Sequence, residues 1–153
     1  MDHGQMFDQL VEDFGLEAKT SFARGEDGVW QIPARGSDIL VCLGYRAASD
    51  QVIAFARVEE LRPGGYDEPR ARALLEANAF WRGTSGFTLA LDRETDQLVA
   101  LDRRSPAYFT SVEVLACYVN CLVQLVEELR DELRHLQDAA EIEEELASEG
   151  EPS

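Results

Sequence analysis

The side chains best suited to chemistry near neutral pH are two histidines and three cysteines. His3 lies at the start of the chain and His135 beside Arg134, and neither has an adjacent Ser or Cys that it could activate. Cys117 and Cys121 are spaced i, i+4 and share a face of any helix that contains them, yet a metal site needs further ligands, which the two isolated histidines do not supply. The three thiols, Cys42 included, are therefore expected to be small buried hydrophobes, with no disulfides. Gly83-Thr84-Ser85-Gly86 departs from the G-x-S-x-G spacing of a nucleophile elbow and leads from a helix into a strand instead of the reverse. The run DRETD from Asp92 alternates oxygens like the start of a calcium loop, but the central glycine is missing and the twelfth position is Arg103. RPGG at Arg62–Gly65 lacks the G-K-S/T ending of a phosphate loop. No catalytic set, metal site or cofactor fingerprint is left, so the expectation is a protein that binds instead of one that reacts.

Charge narrows what it binds. Thirty acidic residues against fourteen basic ones give −16, which repels phosphate backbones and anionic lipid, so nucleic acid and membrane surfaces are not expected partners. Seven of the acids lie in Asp138–Ser153 with no basic residue, leaving −9 for the preceding 137 residues. The N-terminus MDHGQMFDQLVEDFG carries acids where a signal peptide carries basic residues, and the longest apolar run, Val112–Val126, is broken by Glu113, Asn120 and Gln124. A soluble, cytoplasmic protein is expected.

The elements that must position any binding surface follow from periodicity. Phe7, Leu10, Val11 and Phe14 fall at i, i+3, i+4, i+7, with Gly15 placed as a C-cap, and predict a short amphipathic helix. VWQIPA, DILVCLGY and QVIAFARVEEL between Val29 and Leu61 predict three strands joined by the turn-like RGS and RAASD. Asp67 is a candidate N-cap and Pro69 a first-turn residue of a second helix ending near Phe80. GFTLAL and QLVALDRR flank DRETD as a hairpin with apolar residues on both faces. Thr110 and Glu113 form a T-x-x-E capping box ahead of a stripe of Val112, Leu115, Val119, Leu122, Val126, Leu129, Leu133 and Leu136. The order α-β-β-β-α-β-β-α lacks regular βαβ alternation, so the fold class is α+β, a curved antiparallel sheet packed with helices. Residues 1–137 form a single domain, and 138–153 an acidic tail expected to fray or be disordered.

Apolar residues exceed what one core requires, with Leu74, Leu75, Phe80, Trp81, Phe87 and Leu89 crowded into one segment as core or oligomer interface. The succession LLEAN, an aromatic, a Gly-containing loop, FTLALD, the turn around Thr95, LVAL and a last helix opening TSVEVL resembles the class I type III secretion chaperones of the CesT (Tir chaperone) family, over roughly Met6–Gln137. The acidic extension and the GEDG loop at Gly25–Gly28 lie outside the likeness. The resemblance implies a homodimeric, ATP-independent bacterial chaperone that binds the N-terminal region of a secreted effector protein and keeps it competent for export. It implies a dimer interface at Leu74, Leu75, Asn78, Phe80, Phe87 and Leu89, and partner binding by the first helix and early strands at Phe7, Leu10, Val11, Val29, Ile32, Ile39, Val41 and Phe55. Which face of each alternating strand is exposed stays open, as does the alternative of a stand-alone binding or regulatory module of the same fold.

Overall fold

The computed structural model describes residues 1–60, 68–79 and 84–150. Helix α1 (His3–Glu17) is opened by Asp2, whose carboxylate accepts from the Gln5 amide while the Gln5 side chain returns a bond to the Asp2 amide. Gly15 is not its C-cap. The helix runs on to Ala18, and Gly15 is buried where a Cβ would lie 2.9 Å from the Thr20 carbonyl oxygen and against the Phe22 ring. The glycine is there for close approach, which its spacing alone did not reveal.

The strands are β1 (Ala23–Arg24), β2 (Trp30–Pro33), β3 (Leu40–Arg46), β4 (Gln51–Glu60), β5 (Thr88–Asp92) and β6 (Gln97–Arg104). They form one antiparallel sheet in the order β1-β2-β3-β4-β6-β5. Sequence patterning missed β1, which at two exposed residues is too short to show alternation. Helix α2 (Glu68–Asn78) precedes the hairpin, with Pro69 in its first turn as expected. The Asp67 cap, the Arg62–Gly65 loop and the helix end at Phe80, with Trp81 and Gly83, lie outside the described residues. DRETD is a hairpin turn, in which Asp92 accepts from the Glu94 amide and the Thr95 hydroxyl.

A single 3-10 turn (Pro106–Tyr108) leads into helix α3 (Val112–Glu149). The cap is Ser111 and not Thr110: Ser111 is extended, φ −158°, and its hydroxyl accepts from the Val114 amide. The stripe is buried at Leu115, Val119, Leu122, Val126, Leu129 and Leu133, with Tyr118 and Leu125 added, whereas Val112 and Leu136 are half-buried. Beyond Gln137 the helix continues for three more turns to Glu149, with residues 141–149 all exposed.

Alpha-helices α1 and α3 cover one face of the sheet. That inner face carries Trp30, Ile32, Val41, Leu43, Val52, Ala54, Ala56, Val58, Leu98 and Ala100, all buried. Ala56 pairs with Ala100 across β4 and β6, and with Ala54 these small residues make room for α3. Arg130 of α3 then reaches the β-bulge of β4, donating to the Val58 and Arg57 carbonyls and, at 2.6 Å, to Asp38.

Candidate functional site

The opposite face of the sheet has no helix of its own among the described residues. Period-two alternation and the register decide its composition: Leu40, Cys42 and Arg46 from β3, Gln51, Ile53, Phe55 and Arg57 from β4, Ala90 from β5, and Val99, Leu101 and Arg103 from β6. Cys42 lies beside Phe55, Phe55 beside Leu101, and Ile53 beside Arg103. Together they line a shallow, open concavity of about 970 Å³. Phe55 is 38% exposed and Leu40 39%, values unusual for large apolar side chains near the middle of a sheet.

Charge is not spread evenly around this groove. Arg46 and Arg103 stand at one end with no ion-pair partner among the described residues. At the other end Arg57 pairs with Glu60 at 3.3 Å and Asp38 is committed to Arg130. The hydrogen bond from Arg130, more than its charge, holds the Asp38 carboxyl below the usual carboxylate range. Burial, followed by the charge of Asp27, pushes the Cys42 thiol up, which makes it a poor nucleophile. An apolar surface bordered by arginines, with a thiol whose pKa burial raises, can hold a side-chain-bearing segment.

A second concavity, about 420 Å³, lies between α1 and the 3-10 turn and is lined by His3, Met6, Phe7, Leu10, Pro106, Ala107, Phe109 and Thr110. His3 and Tyr45 both bond the Asp50 carboxylate, at 2.8 and 2.7 Å, which fixes the start of α1 to the β3–β4 turn. The bond to Asp50 pushes the Tyr45 hydroxyl up to about 12.

The residues expected to bind a partner divide between the two faces. Phe55 is in the open groove, Leu10 borders the second concavity and Val29 is half-buried. Phe7, Val11, Ile32, Ile39 and Val41 are core residues, none more than 3% exposed. Alternation alone left the strand faces undecided, but a signal was present: Ile53 and Phe55 share parity with Gln51 and Arg57, and Val99 and Leu101 with Gln97 and Arg103. Polar residues in phase with apolar ones mark the solvent side.

Of the residues expected at a dimer interface, Leu75 is 71% exposed on α2, and Leu74 packs partly against the core. Phe87 and Leu89 are buried within the single chain, Phe87 against the Tyr118 ring. Asn78 bonds both backbone groups of Leu89, its amide donating to the carbonyl and its oxygen accepting from the N–H, so one side chain completes the β5 edge at that point. Phe80 lies outside the described residues.

Cys117 and Cys121 are exposed on α3, correcting their expected burial; they occupy the outward side of a helix whose buried stripe runs along the other. His135 is exposed too. Among the described residues no group of three His, Cys, Asp or Glu side chains is placed to hold a metal ion, and no helix is long and apolar enough to cross a membrane.

The Tir chaperone protein (CesT) family model matches residues 9–130. Two solved structures share the fold with a TM-score of 0.69: the ExsC–ExsE complex, 17% identical over 86% of this chain and 96% of that one, and the HopA1–SchA chaperone–effector complex, 16% identical over 86% and 98%. The ExoT–SpcS complex from Pseudomonas aeruginosa is 18% identical over 81% of this chain and 97% of that one, with a TM-score of 0.56. The search of curated protein sequences finds no significant match.

Proposed function

Because the chain belongs to the Tir chaperone protein (CesT) family, we propose that it is an ATP-independent cytoplasmic chaperone that binds the N-terminal region of a type III secreted effector and keeps it export-competent. The observation that carries this reading is the uncovered apolar face of the sheet, Leu40, Cys42, Ile53, Phe55, Val99 and Leu101, in a protein otherwise strongly acidic. A folded monomer gains nothing by leaving Phe55 and Leu40 in water, so their exposure is understood if a partner covers them. An unfolded effector segment has apolar side chains to offer and no core of its own. The HopA1–SchA structure is named as a chaperone–effector complex, which supports the same reading. Two copies would pair through α2 and the β5 edge, with Leu75 and Leu91 as the exposed contacts and Leu74, Phe87 and Leu89 supporting them from beneath.

The test is hydrogen exchange on the chaperone, alone and with the N-terminal segment of a secreted protein encoded near it. Protection concentrated in β3, β4 and β6 is expected. Binding of the segment with exchange in these strands unchanged would remove the sheet face as the site.

A further inference from the structure

A second apolar surface lies uncovered at the far end of α3, and its chemistry complements the groove. Ile142 and Leu146 are spaced i, i+4, 57% and 63% exposed, and share a face with Ala139. Helical spacing places Glu143 along one side of that face and Asp138, Glu145 and Glu149 along the other. The segment is thus an apolar strip flanked by carboxylates, with no basic residue after His135. The groove is an apolar floor with Arg46 and Arg103, which have no ion-pair partner among the described residues, at one end, and Arg57, paired with Glu60, at the other.

The two surfaces cannot meet within one copy. Helix α3 is unbroken from Val112 to Glu149 and packs on the inner face, whereas the groove is on the outer face. Leu133 is the last fully buried residue, and at 1.5 Å per residue Leu146 projects about 20 Å beyond it. Sheet face against sheet face is disfavoured as well, since it would bring the arginines of two copies together.

We propose that residues 138–149 of one copy dock through the Ile142–Leu146 face into the arginine-ended groove of a second copy, as an occupant that an effector segment must displace. The displacement rests on the effector-binding reading above; the docking does not.

The test places the photo-cross-linker p-benzoylphenylalanine at position 146 of the full chain and mixes it with ¹⁵N-labelled unsubstituted chain. Mass spectrometry of irradiated protein is expected to show mixed-isotope cross-links into β3, β4 or β6 at outer-face residues such as Phe55 or Leu101. The double substitution Arg46→Glu/Arg103→Glu, both exposed, is expected to cut their yield roughly fivefold, the effect of losing two exposed ion pairs, while Arg46→Lys/Arg103→Lys retains it. Cross-links that are absent, confined to one isotope, or directed to other elements overturn the docking, as does an unchanged yield in the Glu variant. Since this readout uses the chain alone, its failure leaves effector binding standing. An effector segment that binds without reducing the cross-link removes only the displacement.

Discussion

Arg130 ties three parts of the molecule together with one guanidinium: α3, the bulge in β4 and Asp38 ahead of β3. Its side chain is 22% exposed, so the two carbonyls it satisfies have little water to replace it. Arg130→Met keeps the stem and removes the donors, and is expected to cost about 2 kcal/mol, the range for hydrogen bonds to a charged group; a urea midpoint that does not move would show that water takes over. Asp38 and Asp50 are both held below the ordinary carboxylate value, Asp38 by Arg130 and Asp50 chiefly by the Tyr45 hydroxyl and then by His3. A carboxylate with a depressed folded-state pKa contributes stability above its unfolded pKa and loses it as pH falls through the folded value. Thermal unfolding of Asp50→Asn should therefore show a shallower acid limb below about pH 4 than the parent; identical limbs would count against the Tyr45–Asp50–His3 cluster. None of these long-range partners was legible in the sequence, because Arg130 and Asp38 are separated by 92 positions and nothing local marks either of them. The cysteines show the opposite error. Residue type suggested burial, but the phase of the α3 stripe, which was legible, already put Cys117 and Cys121 on its outward side.

Elements were easier to read than their ends. Five of the six strands, all three helices and the hairpin turn follow from period and turn chemistry, because long runs average out the ambiguity of single residues. Boundaries depend on single side chains. Gly15 looked like a helix terminus, yet the chain needs its missing Cβ so that Thr20 and Phe22 can fold back on α1. Gly15→Ala is consequently expected to destabilise by about 1–3 kcal/mol through overpacking, although alanine in an open helix would gain about 1 kcal/mol over glycine. A denaturation midpoint raised by the substitution would mean that the turn after α1 yields easily and that glycine is only a helix breaker there. Ser111 and Thr110 present the same difficulty on α3. Both can cap, and the choice falls to Ser111 because it is the residue whose hydroxyl meets the Val114 amide.

At the scale of the whole molecule, the sheet separates two tasks that the sequence leaves superimposed. Apolar residues of one parity close the core under α1 and α3, and those of the other parity form an open groove, so the eight positions expected to bind a partner fell on both. Substitutions on the two faces should behave differently. Phe55→Asp, at a position 38% exposed, is expected to lower the unfolding midpoint while the folded chain persists, and to weaken capture of an effector segment at least tenfold, a loss of about 1.4 kcal/mol or more of apolar contact. Ile32→Asp, on the core face, should instead unfold the protein, since it places a carboxylate where only 3% of the side chain meets water. The same separation governs self-association. Leu89 was expected in the dimer interface but is 6% exposed within one chain, so an acidic residue there would confuse unfolding with dissociation. Leu75, 71% exposed on α2, isolates the question. If two copies pair through α2 and the β5 edge, Leu75→Glu buries a charge in the interface and gives monomers by light scattering with the circular dichroism of the parent. If Leu75→Glu keeps the mass of a dimer, the pairing surface lies elsewhere. A mass that falls only in Arg46→Glu/Arg103→Glu would assign self-association to the groove and the acidic end of α3, and leave α2 as a surface element.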